Sequence, residues 1–312
     1  MKKIYNLIKK RFINFFKLYP AFKYALKVRS RIRNGSLVFF HPVVIYKVVF
    51  RLFSAPFFRL SNIFTPGEYI FEKNLNTLIE NRISDIKIND REFFDFTFFK
   101  VYVPNFKNAK KVILNDFREV YLDNVYAKHF FMGKAVKDND VILDLGANVG
   151  GFSLWACSQA NNVKCYAVEP HPGIRQEIEE NIKLNGLHEN IFPVDKCISS
   201  KNEKLKMSFD EEVFTMTKIS NQIGDIEVDA LSIDNLIVDL DLKKIDLIKL
   251  DIEGSEREAI SGARQTLIKY KPKLALSGYH LVDDVYFLVD LILEIQPDYK
   301  IIVGSNMHIY AF

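Results

Sequence analysis

The chain has 312 residues, enough for one large domain or two, with 48% hydrophobic and 26% charged residues. This composition is typical of a folded globular protein and excludes disorder as the main state of the chain. The three cysteines have no C-x-x-C spacing, which argues against a disulfide framework or a zinc site. The net charge of +4 is small, but it is spread unevenly along the chain.

The first 33 residues carry many Lys and Arg and no acidic residue. Their apolar side chains recur at helical spacing, at Ile4, Ile8, Phe12, Phe15 and Tyr19. The pattern predicts a basic amphipathic helix, which suits an anionic membrane surface. A helix that packs against the rest of the protein and leaves its basic face in solvent explains the pattern equally well. RNA binding is a weaker third interpretation.

Three units are predicted along the chain. Residues 1–66 form a basic, aromatic-rich segment, in which no apolar run reaches the ~18 residues that a membrane-spanning helix needs. Residues 67–135 are predicted to form a mixed α/β cap over the substrate side, with its best strand at 96–103 and no catalytic constellation. A regular alternation of strands and helices begins near residue 140, so residues 136–312 form the third unit.

A strand, a glycine turn and a helix are predicted at residues 141–155. Asp144 ends the strand, where it can accept hydrogen bonds from a ligand. Gly146 and Gly150 allow the backbone to approach a ligand closely, and the following helix N-terminus suits a carboxylate. The spacing matches neither a dinucleotide fingerprint nor a phosphate-binding P-loop. The D-x-G-A-N-x-G pattern, which includes Asn148, resembles the first motif of class I S-adenosylmethionine (SAM) methyltransferases; a glycine turn of an unrelated α/β protein is the alternative.

Glu169 ends the next predicted strand, roughly 20 residues past the glycine turn. At this spacing, an acidic residue meets the ribose hydroxyls of a bound nucleoside in such folds. A surface acid at a strand end is the alternative. The third strand and its exit are predicted at residues 191–200. The resemblance to class I methyltransferases implies an adenine contact near this point, for which Ser199 or Asp195 could serve.

Charged side chains collect at the carboxyl ends of two later strands. Lys249, Asp251 and Glu253 end the strand that begins near residue 245, and His280 ends the strand at 273–280. These strand ends face the ligand crevice of an open α/β sheet. Buried charges without partners are costly, so these charges should be paired or used. A structural salt bridge from Lys249 to Asp251 or Glu253 is the alternative.

Four stretches in this order resemble the motifs of the FkbM family of SAM-dependent O-methyltransferases. They are residues 144–150, 168–170, 249–256 and 277–280. The K-x-D-x-E-G-x-E motif of the third stretch is the most specific. The resemblance covers about residues 140–312 and implies an α/β fold, with a Rossmann-like class I methyltransferase sheet and helices on both faces. A basic helical and mixed α+β extension precedes this domain.

The resemblance also implies roles for individual residues. Four residues would hold the methionine part of SAM, namely Asp144, Gly146, Asn148 and Gly150. Glu169 would hold the ribose. Those that would form the acceptor side are Lys249, Asp251, Glu253 and His280.

The expected reaction is transfer of a methyl group from SAM to a hydroxyl of a sugar, in a surface glycan or its precursor. Asp251 is the first choice for the general base and His280 the second. A lipid or small-metabolite methyltransferase and a non-catalytic SAM- or nucleotide-binding module are the alternatives. No metal is assigned, although Asp251, Glu253 and His280 could hold a divalent cation. We expect no nucleic-acid partner and a cytoplasmic location, with peripheral binding to the inner face of the membrane as an option.

Overall fold

The computed structural model describes residues 38–40, 91–96, 98–105, 109–110, 113, 119–120, 125–127, 135–208, 218–220, 226–281, 283–304 and 306–312. The predicted basic helix of the first 33 residues lies outside these ranges. Most of the predicted segment 1–66 and much of the predicted cap 67–135 also lie outside them, so both domain boundaries stay predictions.

The bounds of the secondary-structure elements follow in chain order. The strands are β1 (Val38–Phe40), β2 (Phe93–Asp95), β3 (Lys100–Tyr102), β4 (Val141–Leu145), β5 (Lys164–Val168), β6 (Ile191–Val194), β7 (Cys197–Ile198), β8 (Glu203–Ser208), β9 (Lys218–Ser220), β10 (Ile226–Leu231), β11 (Leu247–Leu250), β12 (Lys273–Ser277), β13 (Ile301–Val303) and β14 (His308–Ala311). The helices are α1 (Gly151–Gln159), α2 (Pro172–Asn185), α3 (Ile233–Asp239), α4 (Glu256–Ser261), α5 (Arg264–Tyr270) and α6 (Asp284–Ile295).

The larger sheet has the strand order β1–β13–β14–β12–β11–β4–β5–β6. Its neighbouring strands are parallel, except where β14 pairs with β12 and β13. Helices connect β4 to β5, β5 to β6 and β11 to β12, and such crossovers make the joined strands parallel. The carboxyl ends of β4, β5, β11 and β12 therefore meet at one edge of the sheet.

Two apolar clusters cover the two faces of this sheet. Alternate residues of each strand enter different clusters: Leu143 and Leu145 of β4 pack with α3 to α6, whereas Ile142 packs with α1 and α2. This alternation follows from the two-residue period of a strand. The predicted Rossmann-like α/β sheet with helices on both faces is thus confirmed.

A smaller sheet with the order β7–β10–β8–β9 lies between β6 and α3 in the chain. β8 and β10 pair antiparallel, with Leu205 opposite Val228. Apolar and charged residues alternate along β8, as in a strand with one face covered.

Two short segments, β1 and the hairpin of β2 and β3, precede residue 136 and contact the domain that follows. β1 pairs parallel with β13 and so extends the larger sheet. The amides of Lys100 and Tyr102 in β3 donate to the side chains of Asn185 and Asn181 of α2, at 2.6 and 2.8 Å. The strand predicted at 96–103 is shorter than expected, because the N–H of Phe96 donates back to the carbonyl of Phe99 at 3.0 Å and closes a turn.

Within the part of the chain that the structure describes, none of the helices has both the length and the hydropathy that a bilayer crossing requires.

Candidate active site

The glycine turn joins β4 to α1 and lies against the end of β11. Gly146 and Gly150 have φ angles of 78° and 88°, in the left-handed region that favours glycine. The amides of Gly146 and Ala147 both donate to the carbonyl of Val168, at 3.1 and 3.0 Å. A Cβ at Gly146 would lie 1.9 Å from the carbonyl oxygen of Asp251. The backbone after β11 therefore requires glycine at position 146, whereas the sequence analysis explained it by the approach of a ligand.

A buried ion pair supports the glycine turn. The ammonium of Lys249 lies 3.1 Å from Oδ1 of Asp144 and donates to the carbonyl of Gly146 at 2.7 Å. The hydroxyl of Ser153 donates to Oδ2 of Asp144 at 2.7 Å. Asp144 is fully buried and Lys249 is 5% exposed, so each charge compensates the other away from water.

This ion pair bears on two predictions from the sequence. The carboxylate of Asp144 is enclosed by Lys249 and Ser153, and its contact with a ligand stays a prediction. The ammonium of Lys249 binds the glycine turn and also lowers the pKa of Asp251, so its role on the acceptor side stays a prediction as well. Lys249 pairs with Asp144 because the register of β4 and β11 sets the two residues directly opposite each other, so both side chains leave the sheet on the same face.

Glu169 reaches the glycine turn from the end of β5. Its Oε2 accepts the amide of Asn148 at 3.1 Å, and its Oε1 accepts the amide of His171 at 2.9 Å. Burial raises the pKa of Glu169 to about 7, although these two amides and Lys249 act in the opposite direction. The structure thus brings together Asn148 and Glu169, and their contacts with SAM stay a proposal.

Ser199 follows β7, at the edge of the smaller sheet. Its hydroxyl donates to Oε1 of Glu203 at 2.7 Å, and its amide donates to the carbonyl of Leu231 at 3.0 Å. Asp195 is exposed and lies 3.6 Å from the ammonium of Lys196. The adenine contact expected from Ser199 or Asp195 stays a prediction.

Asp251, which the family resemblance assigns to the acceptor side, directly follows β11. The hydroxyl of Tyr126 donates to its Oδ2 at 2.7 Å, and the hydroxyl of Tyr279 is 3.4 Å from both carboxylate oxygens. Burial by itself would raise the pKa of Asp251. Lys249, the bond from Tyr126 and the nearby histidines outweigh burial and lower the pKa, so the carboxylate is ionised at neutral pH.

His280 is surrounded by three carboxylates. Its Nδ1 lies 3.0 Å from Glu256, and its Nε2 lies 3.6 Å from Asp251 and 3.5 Å from Glu253. Burial would lower the pKa of His280, but the three carboxylates, with Glu256 first, raise it to about 9. The imidazole therefore carries its proton at neutral pH. His280 would have to lose this proton before it could act as a general base, and its catalytic role stays a prediction.

Glu253 lies in the turn between β11 and α4, with a left-handed φ of 55°. Its carboxylate is partly exposed and faces His280. Burial, and then the charge of Asp251, raise the pKa of Glu253. Of the two carboxylates that face Nε2 of His280, that of Glu253 is therefore more accessible to water than that of Asp251.

Two residues of the site, Glu256 and Tyr126, were not predicted from the sequence. Glu256 is 1% exposed, and its Oε1 also accepts the amide of Ile252 at 2.9 Å, so it ties the turn after β11 to His280. Its place in the K-x-D-x-E-G-x-E motif was a signal that could have found it. Tyr126 lies in a part of the sequence that showed no catalytic pattern, and no local signal points to it.

Asp251, Glu256 and His280 each offer a ligand atom, and these atoms lie within 4.8 Å of one another. Carboxylate oxygens and an imidazole suit a divalent cation. In this arrangement, however, both imidazole nitrogens already face carboxylates, and the imidazole proton neutralises part of their charge. We assign no cation here, and the expectation of no metal stays a prediction.

The glycine turn follows β4, and Glu169, Asp251 and His280 follow β5, β11 and β12, so all of them lie at one edge of the sheet. Residues 144–301, just over half of the chain, match the model of the methyltransferase FkbM domain. The chain belongs to the FkbM methyltransferase family. This membership confirms the predicted family, the SAM-dependent methyltransferase class of the domain and SAM as its cofactor.

The chain is similar to two named methyltransferases over short segments. It is 38% identical over 56 residues to the 31-O-demethyl-FK506 methyltransferase FkbM of Streptomyces tacrolimicus, which is 18% of this chain and 20% of the relative. It is 43% identical over 61 residues to the tRNA (guanine(37)-N(1))-methyltransferase Trm5b of Methanocaldococcus jannaschii, which is 20% of this chain and 17% of the relative. The matched segments span at most 20% of the length of the curated relatives.

A solved structure, the methyltransferase FkbM from Methylobacillus flagellatus KT, is 19% identical with a TM-score of 0.46. The match covers 79% of this chain and 60% of that chain.

Proposed function

We propose that this FkbM methyltransferase transfers the methyl group of SAM to a hydroxyl oxygen, with Asp251 as the general base. The observation that carries the proposal is that the backbone of Asp251 lies against Gly146 in the cofactor turn, while its ionised carboxylate faces the acceptor side. A hydroxyl held by this carboxylate would therefore lie beside the cofactor's reactive end.

The residues of the site support such a reaction by alignment and proton transfer. The sulfonium of SAM supplies an already activated methyl group. Asp251 would hold the acceptor hydroxyl and take its proton while the methyl group passes from sulfur to oxygen, so that the bond to sulfur breaks as the C–O bond forms and a neutral thioether leaves. A positioned base contributes roughly 10²–10⁴-fold. Lys249 and the hydrogen bond from Tyr126 lower the pKa of Asp251, and the imidazolium of His280, 3.6 Å from Oδ1, lowers it further, so the carboxylate stays ionised. Alignment of the two reactants contributes further, because it turns the attack into a unimolecular step.

The proposed acceptor is a sugar in a surface glycan or glycan precursor. The name of the Streptomyces relative describes transfer to an oxygen, which favours a hydroxyl acceptor. Hydroxyls of Tyr126 and Tyr279 and the carboxylates of Asp251 and Glu253 offer hydrogen-bond partners to a polyol. The basic N-terminal segment would hold the enzyme near a lipid-linked precursor at the inner face of the membrane, as an anionic surface attracts Lys and Arg.

The test of this proposal compares cells that carry the wild-type protein with cells that carry Asp251→Asn. Mass spectrometry of their surface glycans should show one sugar methyl group that only the wild-type cells contain. If the glycans are identical, the sugar acceptor is wrong, and a methyl difference in the lipid or small-metabolite fraction would identify the acceptor class instead.

SAM affinity should depend on the protonation of Glu169. An ionised carboxylate accepts two hydrogen bonds from ribose hydroxyls, so SAM binding favours the ionised form. With a pKa of about 7, Glu169 is mostly protonated at pH 6. SAM should therefore bind roughly five- to tenfold more weakly at pH 6 than at pH 7.5, as measured by calorimetry. Glu169→Gln is the control and should bind weakly at both pH values. Equal wild-type affinity at pH 6 and 7.5 would show that Glu169 does not contact the ribose.

A further inference from the structure

Tyr126 precedes residue 144, where the family match begins, yet its hydroxyl reaches the centre of the acceptor side. We propose that Tyr126 is a positioning residue for methyl transfer, which holds Oδ2 of Asp251 so that Oδ1 remains for the acceptor hydroxyl. The inference rests on the proposed function. It means that the part of the chain before the family domain completes the active site.

The position of Tyr126 is set by packing from two directions. Its ring meets Phe152 of α1 edge-on, with centroids 5.5 Å apart, and meets His308 of β14 edge-on at 5.2 Å. The hydroxyl of Tyr310 in β14 donates to the carbonyl of Val125, the residue before Tyr126. Tyr126 is 4% exposed, so its phenol cannot swing freely. The hydroxyl is thus delivered to Asp251 by a rigid support.

The two oxygens of Asp251 have different surroundings. Oδ2 accepts a short hydrogen bond of 2.7 Å from Tyr126. Among the residues that the structure describes, Oδ1 has only long contacts, 3.4 Å to the hydroxyl of Tyr279 and 3.6 Å to Nε2 of His280. A hydroxyl–carboxylate bond is normally 2.5–2.7 Å long, so an acceptor can replace the long contacts at Oδ1 without breaking the bond to Tyr126. Because Tyr126 holds Oδ2 of Asp251, Oδ1 is the oxygen that takes the proton of the acceptor hydroxyl.

Tyr126 also stabilises the charged form of Asp251. Burial raises the pKa of Tyr126 well above 10, so the phenol stays protonated and remains a donor. Among the described residues, the other titratable groups near Asp251 are Lys249, Glu253, Glu256, Tyr279, His280 and His308. Removal of the phenol hydroxyl leaves those groups in place. The effect on Asp251 can therefore be assigned to Tyr126.

The test is the pKa of Asp251, measured by carboxyl ¹³C NMR on protein labelled at aspartate. The resonance of Asp251 is identified by its loss in Asp251→Asn. Tyr126→Phe keeps the ring and its packing, and should raise the pKa of Asp251 by about one to two units. The matched variant Tyr279→Phe removes a hydroxyl at 3.4 Å and should raise it by less than about half a unit.

An unchanged pKa of Asp251 in folded Tyr126→Phe would overturn the proposal. If that variant does not fold, the ¹³Cζ resonance of Tyr126 in the wild-type protein serves instead. It should shift with the titration of Asp251, and a constant resonance would overturn the proposal. In the methyl-transfer assay, the pH below which the rate of Tyr126→Phe falls should rise together with the pKa of Asp251. Damage to the fold would instead lower the rate at every pH. The NMR result needs no acceptor, so absence of methyl transfer by the wild type would refute the proposed function separately.

Discussion

Asp251→Asn should lower the rate of methyl transfer by roughly 10²–10⁴-fold while leaving SAM affinity within about threefold of wild type. The amide is nearly the same size as the carboxylate and can still accept the hydrogen bond from Tyr126. It cannot take a proton, so the acceptor hydroxyl would attack without a base. The measurement is the single-turnover rate with methyl-labelled SAM and a glycan fraction from cells that lack the protein, together with SAM binding by calorimetry.

Glu253→Gln is the matched control for the Asp251 variant. Glu253 lies two residues away with a partly exposed carboxylate, and its loss should lower the rate by less than about tenfold. A greater loss of rate in Glu253→Gln than in Asp251→Asn would make Glu253 the base. Collapse of SAM binding in Asp251→Asn would show instead that Asp251 supports the cofactor turn, since its backbone contacts Gly146.

Lys249→Met should lower the free energy of unfolding by about 3–5 kcal/mol, because it leaves the carboxylate of Asp144 buried without its countercharge. The variant should also weaken SAM binding, since Lys249 donates to the carbonyl of Gly146 in the cofactor turn. Urea denaturation gives the stability change, and calorimetry gives the affinity.

Two further variants distinguish the effect of the buried pair of Lys249 and Asp144 from the general effect of losing a lysine. Lys249→Met with Asp144→Asn removes both charges and should be more stable than Lys249→Met alone. Lys244→Met breaks a pair with Asp246 in which both side chains are partly exposed, and it should cost less than about 1 kcal/mol. If Lys249→Met costs no more than Lys244→Met, the buried pair does not support the turn.

Much of the fold was predictable because the relevant signals are local. The apolar runs of β4 and β11 and the turn after β4 indicate buried parallel strands and a ligand-binding turn without tertiary information. Glu169 lies beside the turn because strand ends in a parallel sheet share one edge, and its contact with the ribose stays a prediction.

The partners of the charged residues were less predictable, because they depend on register and on distant contacts. Lys249 pairs with Asp144 across two strands rather than with Asp251, and only the alignment of β4 with β11 decides this. The protonation of His280 depends on three carboxylates that converge in space. Tyr126 reaches Asp251 over 125 positions of sequence, for which no periodicity or spacing gives a signal.

The most direct test of the account is the chemical position of the methyl group that the purified chain transfers. The protein is incubated with methyl-labelled SAM and a glycan fraction from cells that lack it, and the product is analysed by NMR and mass spectrometry. If the chain methylates a sugar oxygen with Asp251 as the base, one sugar hydroxyl should become a labelled methoxy group with the wild type and should stay unmethylated with Asp251→Asn. Label on a nitrogen or carbon atom, or equal transfer by Asp251→Asn, would contradict this expectation.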